Sequence, residues 1–289
     1  MKFVTYSING KENVGILSAD ENNIIPASEL GLKSEEMVAL IRELNGKLPE
    51  LSGNEKTVCV SDVKLEAPIP EPVQDVICLG LNYRDHAAEA AKSDAAYDVQ
   101  RGDAVYFSKR VNRAVAPFDN IDSNYPVCTE LDYEVELAVV IGKDAKNVKA
   151  ADAAEYIFGY TILNDVSARN QQTKHKQWYY GKSLDGFTPI GPAIVSAEKL
   201  GANPELGIRC YVNGEERQNS STGNMIFDIP YIIEELSAGM TLKAGTIIAT
   251  GTPSGVVLGM DDDKKVYLKK GDVIRCEIDE IGTLENTVG

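Results

Sequence analysis

Histidine is scarce in this chain, with two residues among 289, His86 and His175. The five cysteines (Cys59, Cys78, Cys128, Cys210, Cys276) are odd in number, scattered, and never arranged as Cys-x-x-Cys. That spacing argues against a disulfide framework and against a cysteine-built zinc site, so reduced and mostly buried thiols of a cytoplasmic protein are expected. No apolar run approaches the roughly 18 residues of a membrane span. The opening MKFVTYSINGKENVG lacks the apolar stretch and small-residue cleavage site of a secretory signal. Positive charge is short as well: 29 Lys and Arg stand against 44 Asp and Glu, for a net charge of −15. Such a field repels nucleic acid and anionic membranes, and solubility accounts for it without a special partner. The two basic clusters, KRVNR at 109–113 and KHK at 174–176, read as solvated surface. The second lies near an aromatic motif and could form a local anion-facing edge.

With 43% hydrophobic and 25% charged residues, the composition is that of a globular protein with a sizeable core. Residues 1–66 read as a small N-terminal domain. Strands flank Asn9-Gly10, and apolar residues at Met37, Leu40, Ile41 and Leu44 have helical spacing after a Ser34 cap. The proline-rich APIPEPVQD at 67–75 marks entry to a second unit, 67–289. That unit opens with a short strand, VICLGLNY, and a helix in RDHAAEAAK. Residues 93–103 are polar, lack periodicity and suit a mobile loop. From 130 onward strand signals separated by Gly-containing turns dominate, and helices are sporadic. The expected class is mostly β with helices, α+β, and a parallel doubly wound sheet is disfavoured.

LDYEVELAVV at 131–140 looks like a buried strand, yet it carries Glu134 and Glu136. Strand side chains alternate faces, so both glutamates project to one side about 7 Å apart, while both faces are otherwise apolar. Two like charges in a buried site repel, and each resists desolvation. Protonation, a basic partner or a shared divalent cation would each resolve this. A hard cation needs oxygen ligands from more than one segment, and Asp165, after the apolar YTIL, is available as a third.

His86 precedes Glu89 by three residues, neighbours on a helix, where a carboxylate can orient an imidazole for proton transfer. A surface histidine with a casual acidic neighbour has the same spacing, and His175 has nothing nearby to strengthen it. Gly181-Lys182-Ser183 lacks the upstream glycine of a phosphate loop, and TGTPSG at 250–255 places Pro253 where a hydrolase elbow needs serine. Lys182 itself, among Trp178, Tyr179, Tyr180, Leu184 and Phe187, could be part-buried and facing an anion.

The ordered series GLNYRDHAAE, DYEVELAVVIG, NDVSARNQQ, QWYYGKSLDGFTPIGP, VNGEERQNSSTGNMIF, TGTPSGV and LKKGDVIRCEIDEIGTLENTV resembles the fumarylacetoacetate hydrolase family over roughly residues 68–289. The resemblance implies a mixed β-sandwich roll, a homodimer, and Mg2+ or Mn2+ in the active site. By motif position it assigns Glu134, Glu136 and Asp165 as metal ligands, and His86 and Glu89 as the dyad of the acylpyruvase-like branch. Lys182 becomes the active-site lysine, and Tyr83, Arg169, Gln172 and Thr252 become substrate contacts. Val135 stands where many members have glycine, and Asn170 where aspartate is frequent. The first implied activity is hydrolysis of a C–C bond in a small acylpyruvate or 1,3-dioxo acid, through His-Glu activated water and a metal-stabilised enolate. Isomerisation, tautomerisation or decarboxylation of 2-oxo acids is the alternative, and a non-catalytic small-acid binding protein is the reading from a different class.

Overall fold

A computed structural model describes residues 1–87 and 102–289. Glu89, and most of the loop expected at 93–103, lie outside the described residues. Eleven strands form the larger sheet among the described residues. Its central path runs from Lys2–Ile8 to Ile190–Ser196, Ile157–Asn164, Val135–Ile141, Ile247–Ala249, Val76–Gly80 and Val105–Lys109. Pairing is antiparallel throughout this path except between Ile247–Ala249 and Val76–Gly80. The second sheet has five strands, with Gly207–Val212 and Val273–Ile278 near its middle. This is the expected α+β fold with a mixed β-sandwich.

Alternation along Val135–Ile141 explains the layering. Val135, Leu137, Val139 and Ile141 face one core, shared with Ile208, Cys210, Ile274 and Cys276 of the smaller sheet. Ala138 and Val140 face the opposite core, with Met37, Leu40 and Ile41 of the Met37–Leu44 helix. The strand is thus covered on both sides, as its near-continuous apolar run requires.

Residues 1–66 supply five strands of the larger sheet, so hydrogen bonding is continuous across the proline-rich segment. Asn9 and Gly10 both take positive φ, 53° and 79°, between Lys2–Ile8 and Lys11–Leu17, the conformation of a tight two-residue hairpin. The helix that was expected to follow a Ser34 cap begins at Met37, with Glu36 at the N-cap position. Ser34 instead donates its hydroxyl to Glu43 Oε2 at 2.7 Å, which ties the helix entry to its last turn. Among the described residues, no helix is long and apolar enough to cross a membrane.

Candidate active site

The chain breaks its strand at Tyr133 and Glu134, between Leu131–Asp132 and Val135–Ile141. Asn164 Oδ1 accepts from Glu134 N at 3.0 Å, and Glu134 O accepts from Asp165 N at 2.9 Å. This backbone clamp joins the start of one strand to the end of its neighbour, and it brings Glu134, Glu136 and Asp165 together. One carboxylate oxygen from each lies within 4.8 Å of the other two, and all three residues are buried. Like charges that close repel by roughly 3 kcal/mol per pair at an effective dielectric of about 20, so the cluster requires positive charge.

Three cations supply it. Lys182 Nζ donates to Glu134 Oε2 at 2.8 Å and to Asp165 Oδ2 at 2.6 Å. Lys109 Nζ donates to Asp165 Oδ1 at 2.7 Å and to Val166 O at 3.0 Å. Arg169 Nη2 lies 2.6 Å from Glu134 Oε1, a contact of charge outside hydrogen-bond geometry. Basic partners are therefore present, in addition to any ion the carboxylates hold. Lys109 also corrects the reading of KRVNR as solvated surface: its side chain is 0% exposed. It ends the Val105–Lys109 strand, pairs in register with Val76 and points inward. The 174–176 cluster is exposed and lies outside the pocket lining.

Burial favours a neutral Glu134, but the adjacent Lys182 and Arg169 overcome it and hold the carboxyl down at about 2. Burial, reinforced by Asp165 and Glu134, pushes Glu136 well above the ordinary carboxylate range. The Gly251 amide, donating to Glu136 Oε2 at 2.8 Å, opposes that shift. Gly251 holds this amide in place with φ 94°, a backbone conformation that side chains resist. Three hard oxygen donors of this kind suit Mg2+ or Mn2+, and Lys182 already places one cationic centre between two of them.

The cluster opens into a pocket lined by His86, Glu134, Glu136, Arg169, Gln172 and Lys182 on its polar side. Phe107, Trp178 and Leu258 form apolar wall. Lys182 reaches the floor from the short Tyr179–Lys182 helix, which packs on Arg169–Lys174 at Gly181. A Cβ there would sit 2.6 Å from Gln172 N and 2.8 Å from Ala168 O, so only glycine permits the approach. His86 follows Asp85, whose carboxylate accepts from the Ser220 hydroxyl at 2.7 Å and from His86 N at 2.9 Å.

The other expected contacts divide. Arg169 lies in the lining but is committed: Nε donates to Asp132 at 2.8 Å and Nη1 to Gln172 Oε1 at 2.9 Å. Gln172 therefore presents its amide nitrogen, with no hydrogen bond to it among the described residues. Thr252 lines the pocket, yet its hydroxyl donates to Val135 O and accepts from Gln218 Nε2, at 2.9 and 2.8 Å. It braces the wall. Tyr83 is fully buried outside the lining, and its hydroxyl has no hydrogen-bond partner among the described residues. Val135 turns into the core as its alternation requires, and Asn170 spends its side chain on Thr129 N and Val127 O.

Asp132 and Gln218 escaped the reading of the sequence. Asp132 Oδ1 accepts from Tyr133 N and Val257 N, and Oδ2 from Leu258 N and Arg169. Its period-two spacing with Glu134 and Glu136 was the available signal. Gln218 gave none: it arrives from the second sheet and accepts from Val135 N at 3.0 Å.

A two-sheet α+β fold with a buried acidic cluster at its strand ends defines a class of enzymes acting in a small cleft. The particular family follows from residues 75–289, which match the fumarylacetoacetate (FAA) hydrolase C-terminal family. The chain belongs to that family and is an enzyme of it. It is 42% identical over an alignment of 307 positions to the oxaloacetate tautomerase YisK of Bacillus subtilis (strain 168), covering 100% of both chains. It is 43% identical to the mitochondrial oxaloacetate tautomerase Fahd2a of Rattus norvegicus, over 79% of this chain and 70% of that one. A solved fumarylacetoacetate hydrolase from psychrophilic Exiguobacterium antarcticum superposes with a TM-score of 0.87 at 37% identity, over 100% of this chain and 99% of that one. A solved 2-hydroxyhepta-2,4-diene-1,7-dioate isomerase from Mycobacterium marinum does so with 0.77 at 31% identity, over 100% and 98%.

Proposed function

We propose that this enzyme interconverts the enol and keto forms of a small 2-oxo dicarboxylic acid, oxaloacetate first, with a divalent metal ion. The observation that carries this is the 42% identity to an oxaloacetate tautomerase across the whole of both chains. It favours tautomerisation over C–C hydrolysis, which was the first expectation. Isomerisation of an unsaturated dioate is the second reading, favoured by the solved isomerase that the chain resembles from end to end.

Glu134, Glu136 and Asp165 would hold Mg2+ or Mn2+. Such an ion, when bound, supplies Lewis-acid polarisation of a substrate oxygen. Tautomerisation removes a proton from carbon and places one on oxygen, or the reverse, so no water is consumed and no bond between heavy atoms breaks. His86 in the lining is the group to carry that proton, and Glu89, outside the described residues, stays its partner on sequence spacing alone. The Lys182 ammonium adds positive charge where negative charge builds on the substrate oxygen. Gln172 offers two N–H groups to a substrate carboxylate, and Arg169 holds Gln172 in that orientation. Thr252 keeps the wall rigid through Val135 and Gln218. Phe107, Trp178 and Leu258 limit water around the reacting carbon.

The test presents enol oxaloacetate and an acylpyruvate separately, with Mg2+. Accelerated loss of the enol absorbance, with no pyruvate released from the acylpyruvate, is expected. Pyruvate release without faster tautomerisation would restore the hydrolase reading.

A further inference from the structure

Asp165 is held by two lysines, one on each oxygen, and only one of them faces the pocket. Lys182 lines the cavity, whereas Lys109 lies behind it, fully buried. Lys109 is pinned by a second acceptor, Val166 O at 3.0 Å, and by its place at the end of a paired strand. Leaving the cluster would cost its ammonium both Asp165 Oδ1 and Val166 O in a site without solvent to replace them.

The charges around this point can be counted. Glu134, Glu136 and Asp165, ionised as ligands must be, carry three negative charges. Lys109 and Lys182 carry two positive ones. Arg169 is matched by Asp132 at 2.8 Å. With all three ionised the set carries one net negative charge, and a divalent ion turns it to one positive. Without Lys109 the loaded set would only reach neutrality and would lose its attraction for an acid.

We infer that Lys109 is a positioning residue, a fixed counter-charge behind Asp165 that holds the carboxylates together without an ion, caps metal affinity and leaves the loaded site positive. The inference rests on the metal reading of the carboxylate cluster and not on the tautomerase reading.

Three consequences follow from one charge. Replacing Lys109 by methionine, of similar length and without charge, leaves Asp165 uncompensated, so the metal-free protein melts earlier. The same change removes repulsion toward a divalent ion, so Mn2+ binds roughly tenfold tighter or more. The loaded site then attracts an acid less, so KM for oxaloacetate rises severalfold while kcat changes less. A strut that merely filled space would lower stability and weaken metal binding together.

The experiment is Mn2+ titration by calorimetry on full-length wild type, Lys109→Met and Lys109→Arg, with melting followed with and without the ion. Tighter Mn2+ binding in Lys109→Met, with near wild-type affinity in Lys109→Arg, is the expected result. Unchanged or weaker binding in Lys109→Met overturns the inference, as does equal tightening in Lys109→Arg. Should Lys109→Met fail to fold without metal, recovery of a folded state by Mn2+ supports the counter-charge, since an ion binding only the native state stabilises it. Failure of excess Mn2+ to recover it speaks for a strut. If wild type binds no Mn2+, the metal reading itself falls, whereas the tautomerase reading is judged separately by the rate on oxaloacetate.

Discussion

Each residue of the carboxylate cluster does something a neighbour cannot. Asp165 takes a lysine on each oxygen, Glu134 meets Lys182 and Arg169, and Glu136 has a backbone amide. Substituting Asp165→Asn keeps the shape and removes the charge. It is expected to weaken Mn2+ binding by at least the roughly 10–100-fold that outer-shell losses cost. Calorimetric titration checks this. His86→Gln is expected to leave Mn2+ affinity near wild type and to cut the tautomerisation rate by about 100-fold or more, the range of a lost general acid–base group. A rate within twofold of wild type would remove His86 from the proton path. Much of this was legible in the chain. Glu134 and Glu136 stood out because charge interrupts an apolar period-two pattern, and Asp165 because it closes a second apolar run. Lys109 was hidden by its own neighbours: Arg110 and Arg113 are exposed, and a run of basic residues does not say which one turns inward.

Elements place these residues by close contact, and there the sequence says less. The expected strand at 131–140 exists with a break at Tyr133 and Glu134, and the break is what lets Glu134 reach Asp165's backbone. Nothing local signals it, because the clamp is made by Asn164 from another strand. Gly181 is similar. Its sequence context fails as a phosphate loop and gives no other sign of its use, which is to let one short helix touch another and aim Lys182 at the cluster. Gly181→Ala is expected to cost about 1–3 kcal/mol by overpacking. It should lower activity further than stability predicts, because Lys182 moves with the helix. Urea denaturation beside the tautomerisation rate reads both.

For the whole molecule, the continuity of the larger sheet matters most. The division at residue 66 follows composition, yet Lys2–Ile8 pairs with Ile190–Ser196, and Phe3 and Phe158 rings lie 4.7 Å apart. A chain begun at residue 67 would expose a long strand edge and the apolar face around Ile194. Aggregation by light scattering is expected, and a monodisperse, active fragment would show residues 1–66 to be dispensable. The layered fold itself was readable, since a strand apolar on both faces must be covered on both. The reaction was not, because the proposed set of carboxylates, base and lysine suits acylpyruvate cleavage and tautomerisation alike.

The proposed chemistry requires one ion in the Glu134–Glu136–Asp165 cluster. Mn2+ titrated into metal-stripped protein, with free ion followed by electron paramagnetic resonance beside the rate on enol oxaloacetate, tests that directly. Binding and rate should saturate together at one ion per chain, and both should be lost in Asp165→Asn. A full rate in the stripped protein, or a rate that Asp165→Asn leaves intact, would contradict it.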